Sequence, residues 1–199
     1  MSTLSIALTF FLVANPIGNS PAIISLVRHL PFERQKRIVF REAMISLAIA
    51  LFFQYFGEIF LSLLHVSQYA LSLTGGLVIF LVALQMIFHK PETTLDQIKQ
   101  EPFIVPIALP LISGPGLMTF IMINSAQEAN DIKITTAILF AWIGVTLVLV
   151  VAPYLQKVLG QRGMAALEHV MGLVLALIST ELIIDGLKLF IQTLNPVLN

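Results

Sequence analysis

The sequence predicts an all-α integral membrane fold: six transmembrane helices forming two inverted three-helix repeats, with helices 1 and 4 broken near the midplane. Three observations predict it. Of 199 residues, 57% are hydrophobic and 11% charged, where a soluble domain carries about 25% charged residues; the mean hydropathy is +0.93. Apolar runs recur at roughly 20 residues, the length that crosses a hydrocarbon core about 30 Å thick. A proline motif in the first run returns in the fourth.

In order, the runs place spans at about 3–27, 38–64, 69–89, 102–125, 134–155 and 165–193. The connections are short except for H-K-P-E-T-T-L-D-Q-I-K-Q-E-P at 89–102, which divides the spans three and three. The chain reads as a single transmembrane domain over 1–199: repeat 1 over about 1–89, a cytoplasmic linker over about 90–101, and repeat 2 over about 102–199. No basic segment precedes the first run, so that run is expected to be retained as a helix. Arg28, Arg34, Lys36, Arg37, Arg41, Lys90, Lys99, Lys157 and Arg162 cluster at the first, third and fifth connections, and only Lys133 and Lys188 fall on the other side. Cytoplasmic loops are enriched in Lys and Arg, which puts both termini on the outer, periplasmic side.

The halves resemble each other. A shift of 94 residues lays Ala14, Pro16 and Pro21 on Ala108, Pro110 and Pro115, Asn19 on Ser113, and Ser25 on Thr119. A shift of 96 pairs Gly76-Leu77-Val78 with Gly172-Leu173-Val174, and Gln85 with Glu181. Three spans per half is an odd number, so the second half inserts upside down, a recurring plan of secondary transporters.

Proline inside a helix removes a donor and clashes with the preceding turn, at a cost of about 3 kcal/mol. In hydrocarbon such a break persists only when protein or an aqueous cavity surrounds it. Span one is expected to break within Asn15 to Ser20, with Ser20 as N-cap and Pro21 opening a second half-helix; Ser113 and Gly114 before Pro115 read the same way in span four. Gly18, Gly114 and Gly116 permit the close backbone approach a break requires. Two half-helix N-termini meeting at mid-depth would gather unpaired N–H groups into a site for an anionic group. The candidate binding residues are Asn15, Gly18, Asn19, Ser20, Ser113, Gly114, Gly116 and Thr119, with Pro16, Pro21, Pro110 and Pro115 making the breaks. Carbonyls released there, with Asn15, Asn19 and Ser113, suit a small cation.

Charged residues within spans mark function by default. Arg41 and Glu42 read as a snorkelling or locally paired couple at a span end, and Glu58 as reaching the interface. Glu181 lies deep in span six, with Asp185 and Lys188 on the same helical face; Asp185 and Lys188 are expected to pair near the outer surface. Glu181 is the leading coupling-ion or proton candidate, with Asp185 beside it and Gln85 at mirrored depth. His29, His65, His89 and His169 sit near span ends without ligand spacing, so no metal site is expected. Gly75-Gly76 and Gly172 with Ala176 read as close-packing surfaces. Absence of cysteine removes disulfides and thiolate chemistry, and zero net charge gives no sign of nucleic-acid binding.

N-P-I-G-N-S-P in span one, E-P-F-I-V-P-I-A-L-P-L-I-S-G-P-G entering span four and L-E-H-V-M-G-L-V in span six together resemble the MarC family of bacterial inner-membrane proteins, over essentially the whole chain. The resemblance implies a six-span inner-membrane protein; the family includes transporters of neutral amino acids such as alanine and glycine, driven by a cation gradient. It carries Asn15, Pro16, Gly18, Pro21, Ser113, Gly114, Pro115 and Gly116 over as motif positions. The expected function is a secondary transporter for a small neutral amino acid or similar metabolite, needing no cofactor beyond a coupling Na⁺ or H⁺. The expected partners are that small molecule and the lipid bilayer; the sequence sets no oligomeric state. The alternatives are a small channel or non-transporting subunit and, lacking a nucleophile with an evident base, an intramembrane enzyme.

Overall fold

The computed structural model describes residues 2–27, 30–88, 112–128 and 130–194, and among these all regular structure is helical. Among the described residues six helices occur in order: α1 (Thr3–Ala14), α2 (Pro16–Val27), α3 (Phe32–Leu63), α4 (Gln68–Phe88), α5 (Pro115–Gln127) and α6 (Asp131–Leu194). Local chemistry sets their starts. Ser2 Oγ accepts from Ser5 N at 3.2 Å and caps α1; α3 opens directly after Pro31; α5 opens at Gly114 followed by Pro115 at its first position, where a missing N–H costs no helical bond.

Five helical stretches are long and apolar enough to cross a membrane: Thr3–Ile24, Phe32–Gly57, Gln68–Phe88, Asp131–Gly160 and Arg162–Leu194. Of the remaining expected span, 102–125, the part up to 111 lies outside the described residues, and the rest falls largely in α5, of 13 residues. Such a helix rises about 20 Å, too little to cross a core about 30 Å thick by itself. The described residues thus carry five stretches of crossing length and one shorter helix. The second span begins earlier than its apolar run, because the charged segment from Phe32 is already helical.

The fifth and sixth expected spans are limbs of one element. α6 is helical throughout except at Gly160, whose φ of 64° and ψ of −179° turn the chain between them. A single glycine therefore does the work expected of a loop between 155 and 165. Only glycine adopts that backbone region without strain.

The core lies where α6 meets α1, α2 and α3, with α5 packed on α3 and α1. Trp142 is 1% exposed, and its Nε1 donates to Ala43 O at 3.1 Å and Ser46 Oγ at 2.9 Å. Phe10 and Phe120 meet edge to face at 5.9 Å between centroids. Nearer the other end, Gln54 Nε2 donates to Thr135 Oγ1 and Asp131 O at 2.8 and 3.0 Å. In a bilayer such bonds and close packing hold helices together, because the surrounding lipid is as apolar as the side chains.

α4 packs against the second limb of α6 in antiparallel fashion, through glycines. A Cβ on Gly76 would lie 2.6 Å from Ile183 Cγ1 and 3.0 Å from Ser179 O; one on Gly172 would lie 3.0 Å from Ile87 Cγ1 and 3.2 Å from Ala83 O. The 96-residue register maps Gly76 on Gly172, Ala83 on Ser179 and Ile87 on Ile183. The two sets of contacts are reciprocal, as a twofold axis between the helices requires. The small-residue surfaces expected at Gly75-Gly76 and Gly172 are thus close-packing seams, with Gly75 against Thr119 of α5.

Glu42 of α3 is fully buried, and its Oε1 accepts from Arg41 Nε and Nη2 at 2.9 and 2.7 Å. The local ion pair expected there forms, with its acidic partner turned inward rather than to the interface. Oε2 is also buried and has no hydrogen-bond partner among the described residues. Removing one member of a buried pair is strongly destabilising. Glu42→Ala is expected to cost roughly 3 kcal/mol, read as a lower midpoint in denaturant unfolding of the purified protein in detergent.

Candidate substrate cavity

The break in the first span occupies one residue. Asn15 stands between α1 and α2 in the left-handed conformation, φ 49° and ψ 51°, which asparagine tolerates better than most side chains. Its Oδ1 accepts from Gly18 N at 3.2 Å, the third residue of α2, as an N-cap does. Its Nδ2 donates to Met86 Sδ of α4 at 3.1 Å. Asn15 is 1% exposed, so both ends of its amide find partners within the protein.

This corrects the expected cap. Ser20 does not open a half-helix: it lies within α2, buried, and its Oγ donates to Pro16 O at 2.6 Å. Pro16 is the first residue of α2, and Pro21 lies inside it. The released carbonyl of Ala14 is taken by Asn19 Nδ2 at 3.2 Å, so it is already occupied rather than open to a cation. In the second half, Gly114 and Pro115 open α5 as expected. The breaks are not register equivalents: α2 begins at Pro16, whereas Pro115 corresponds to Pro21. Pro110, the counterpart of Pro16, lies outside the described residues.

Between the two starts lies a cavity of about 530 Å³. Val13, Asn15, Gly18, Asn19 and Ala22 line it from the first break; Ile112, Gly114, Pro115, Gly116 and Leu117 from the second; Val78, Ile79, Val82, Gln85 and Met86 from α4; Glu168 and Leu175 from α6. The lining is mostly apolar, with amides at Asn15, Asn19 and Gln85 and one carboxylate. Glycine permits the close approach of both helix starts to α4: a Cβ on Gly18 would come within 2.2 Å of Met86 Cε, and one on Gly116 within 2.4 Å of Ile79 Cγ1.

Of the sequence-derived candidates, Asn15, Gly18, Asn19, Gln85, Gly114, Pro115 and Gly116 meet at this cavity. Ser20, Ser113 and Thr119 do not line it. Ser113 is buried and donates to Ser46 O at 3.0 Å, tying the approach to α5 onto α3, and Thr119 packs on Gly75. Glu181 and Asp185 stand on the exposed face of the second limb of α6, away from the lining; Asp185 pairs with Lys188 at 2.8 Å, as expected. Among the described residues no cluster of His, Asp or Glu could hold a metal ion.

Sequence reasoning missed Glu168. The signal was present, since Glu168 is an ionisable residue inside the run 165–193, but it lies near the end of that run and the deeper Glu181 drew the inference. Three register pairs recur in the lining. Gly18 corresponds to Ile112, Ala22 to Gly116 and Ile79 to Leu175, and both members of each pair face the cavity; Gln85 faces it while its counterpart Glu181 does not.

A family profile described as MarC family integral membrane protein matches residues 1–191. A UPF0056 membrane protein of Buchnera aphidicola subsp. Baizongia pistaciae is 35% identical over 93% of this chain and 96% of its own. The UPF0056 inner membrane protein YhgN of Escherichia coli K12 is 33% identical over 95% of this chain and 98% of its own. A UPF0056 membrane protein of Chlamydia muridarum is 31% identical over 94% and 93% respectively. No solved structure matches.

Proposed function

The chain belongs to the MarC family of integral membrane proteins, and from that premise we propose that it is an inner-membrane secondary transporter. It moves a small neutral amino acid, or a metabolite of similar size, by alternating access coupled to a cation gradient. The observation that carries this reading is the cavity between the N-termini of α2 and α5. At about 530 Å³ it lies within the range of roughly 300–1,000 Å³ typical of small-molecule sites. Helix N-termini carry a positive dipole end; in α2 Pro16 has no N–H and Gly18 N is capped by Asn15, so donors come mainly from α5, whose N-cap Gly114 makes no side-chain cap bond, and the two positive ends facing one cavity favour a carboxylate there.

Two inverted repeats supply the motion. The reciprocal contacts of Gly76 and Gly172 and the paired lining positions support a twofold relation between α4 and the second limb of α6. In such carriers the repeats exchange conformations around a fixed central site. When the cavity reopens on the opposite side, Glu181 would come to line it at mirrored depth, as Gln85 lines it now, since the register pairs them. Glu181 would then be the acidic group that enters and leaves the site during the cycle, which suits coupling to Na⁺ or H⁺; Asp185 lies one turn further along the same limb. On the positive-inside pattern, the part of the cavity lined by Gln85 and Glu168 would lie toward the cytoplasm.

The test is uptake of labelled alanine, glycine and serine into proteoliposomes holding the purified protein, with imposed Na⁺ or H⁺ gradients. Gradient-dependent accumulation above empty liposomes is the expected result. Absence of flux under every gradient overturns the reading, and conductance far above carrier turnover would replace it with a channel.

A further inference from the structure

We propose that the groove between α3 and the first limb of α6 holds one anionic phospholipid, its phosphate between Lys36 and Lys157 and an acyl chain along the groove. The site stands apart from the central cavity and does not depend on what that cavity carries.

Two helices build the mouth. Phe32 of α3 and Tyr154 of α6 meet edge to face at 4.7 Å between centroids. Lys36 Nζ lies 4.5 Å from the centre of the Phe32 ring and 5.5 Å from that of Tyr154, and Lys157 Nζ lies 5.3 Å from the Phe32 ring. Two ammoniums from different helices thus converge on one aromatic pair, each drawn to a ring as cations are. Neither charge is well neutralised. Glu33 Oε1 is 3.4 Å from Lys36 Nζ, but its side chain is 87% exposed, and an ion pair open to water contributes little. Lys157 makes no ion pair among the described residues. On the positive-inside pattern this end would lie toward the cytoplasm, where basic pockets between membrane helices take anionic headgroups.

The groove begins one turn below the mouth. It has a volume of about 680 Å³, with Phe40, Met44 and Leu47 of α3 facing Ile143, Leu147 and Val151 of α6. Phe40 and Met44 follow Lys36 in steps of four residues, and Val151 and Leu147 precede Tyr154 in steps of three and four, so mouth and groove share one face of each helix. The two helices run antiparallel, since Gln54 bonds to Thr135, Trp142 to Ala43, and Phe32 meets Tyr154. From Val151 to Leu139 the groove descends about 18 Å at a rise of about 1.5 Å per residue, close to half of a hydrocarbon core about 30 Å thick. Among the described lining residues none is charged. A charged mouth over an apolar channel one leaflet deep matches the two ends of a phospholipid.

A second copy of the chain is the competing occupant. A twofold axis along the membrane normal would set the same lysines of both copies side by side, like charge against like, whereas a phosphodiester neutralises them. Charge therefore favours the lipid.

The experiment uses the purified full chain, delipidated in a neutral detergent. The probes are phosphatidylglycerol, phosphatidylcholine with the same acyl chains, and glycerol 3-phosphate, which has the phosphate without the chains. Bound lipid is counted by native mass spectrometry, and affinity is read from the rise in melting temperature that a ligand of the folded state produces. The wild type is expected to retain one phosphatidylglycerol per chain, to bind phosphatidylcholine about tenfold more weakly, and to show no response to glycerol 3-phosphate. Lys36→Gln combined with Lys157→Gln is expected to abolish that preference while the lipid-free protein still unfolds cooperatively, and Lys36→Arg combined with Lys157→Arg to keep it. Leu147→Trp, which fills the groove, is expected to weaken both lipids together. Equal affinity of the wild type for the two lipids overturns the proposal, as does an undiminished preference in the glutamine variant. So does a response to glycerol 3-phosphate matching that to phosphatidylglycerol, which would mark a soluble phosphate ligand. A changed oligomeric state in Leu147→Trp with phosphatidylglycerol binding intact would give the groove to a second copy instead.

Discussion

Asn15→Asp is expected to fold normally and lose alanine binding and uptake by about a hundredfold or more. Aspartate caps helices as well as asparagine does and tolerates the left-handed conformation, so Gly18 N keeps its acceptor and the break at φ 49° is kept. What changes is charge. A carboxylate 1% exposed at the start of α2 occupies the positive end that a substrate carboxylate needs. Two like charges about 4 Å apart repel by about 4 kcal/mol at an effective dielectric of about 20, and about 1.4 kcal/mol is tenfold in affinity. The lost contact to Met86 Sδ is minor beside that. Binding of alanine to purified Asn15→Asp, with its melting curve as the folding control, decides the matter; near-wild-type affinity would remove the carboxylate from this end of the cavity.

Gly76→Val is expected to lower the melting temperature in detergent by on the order of 5–10 °C. Valine gains a few tenths of a kcal/mol in helix propensity over glycine. Against this stands a Cβ that would lie 2.6 Å from Ile183 Cγ1, 3.0 Å from Ser179 O and 3.1 Å from Ile183 N. Two of those atoms are backbone and cannot rotate away, so α4 and the last limb must part. Overpacking of this sort costs about 1–3 kcal/mol and sometimes more, and each kcal/mol shifts the midpoint by about 2–4 °C in a chain of this size. An unchanged midpoint in thermal unfolding would show that the seam is looser than its contacts indicate.

Much of the architecture was legible because a bilayer allows few solutions. Apolar runs of spanning length had to be helices, and Gly114-Pro115 opens α5 as read. The first break was legible in kind but not in place. Asn15-Pro16 and Ser20-Pro21 are equally good cap-and-proline pairs, and local sequence contains no term that chooses between them. The choice is tertiary: Met86 of α4 offers a sulfur to Asn15, and with the helix already begun at Pro16 the Ser20 hydroxyl turns back to the Pro16 carbonyl. Span five runs into span six through Gly160 because one residue with positive φ suffices to turn a chain, and a polar stretch around it reads as a longer loop. Glu168 escaped because depth along a span says nothing of facing. Facing is set by the antiparallel seam at Gly172, which no window of sequence displays.

Gly160 bears on how inherited changes in this chain should be judged. A Cβ there would meet nothing within 4 Å, so any substitution has room and removes no neighbour. Its φ of 64° with ψ of −179° is nonetheless a conformation that side chains do not accept without strain of about 1–3 kcal/mol. A missense codon at this position would redirect the final membrane helix, and with it Glu168 and Glu181, while every score based on lost contacts recorded it as harmless.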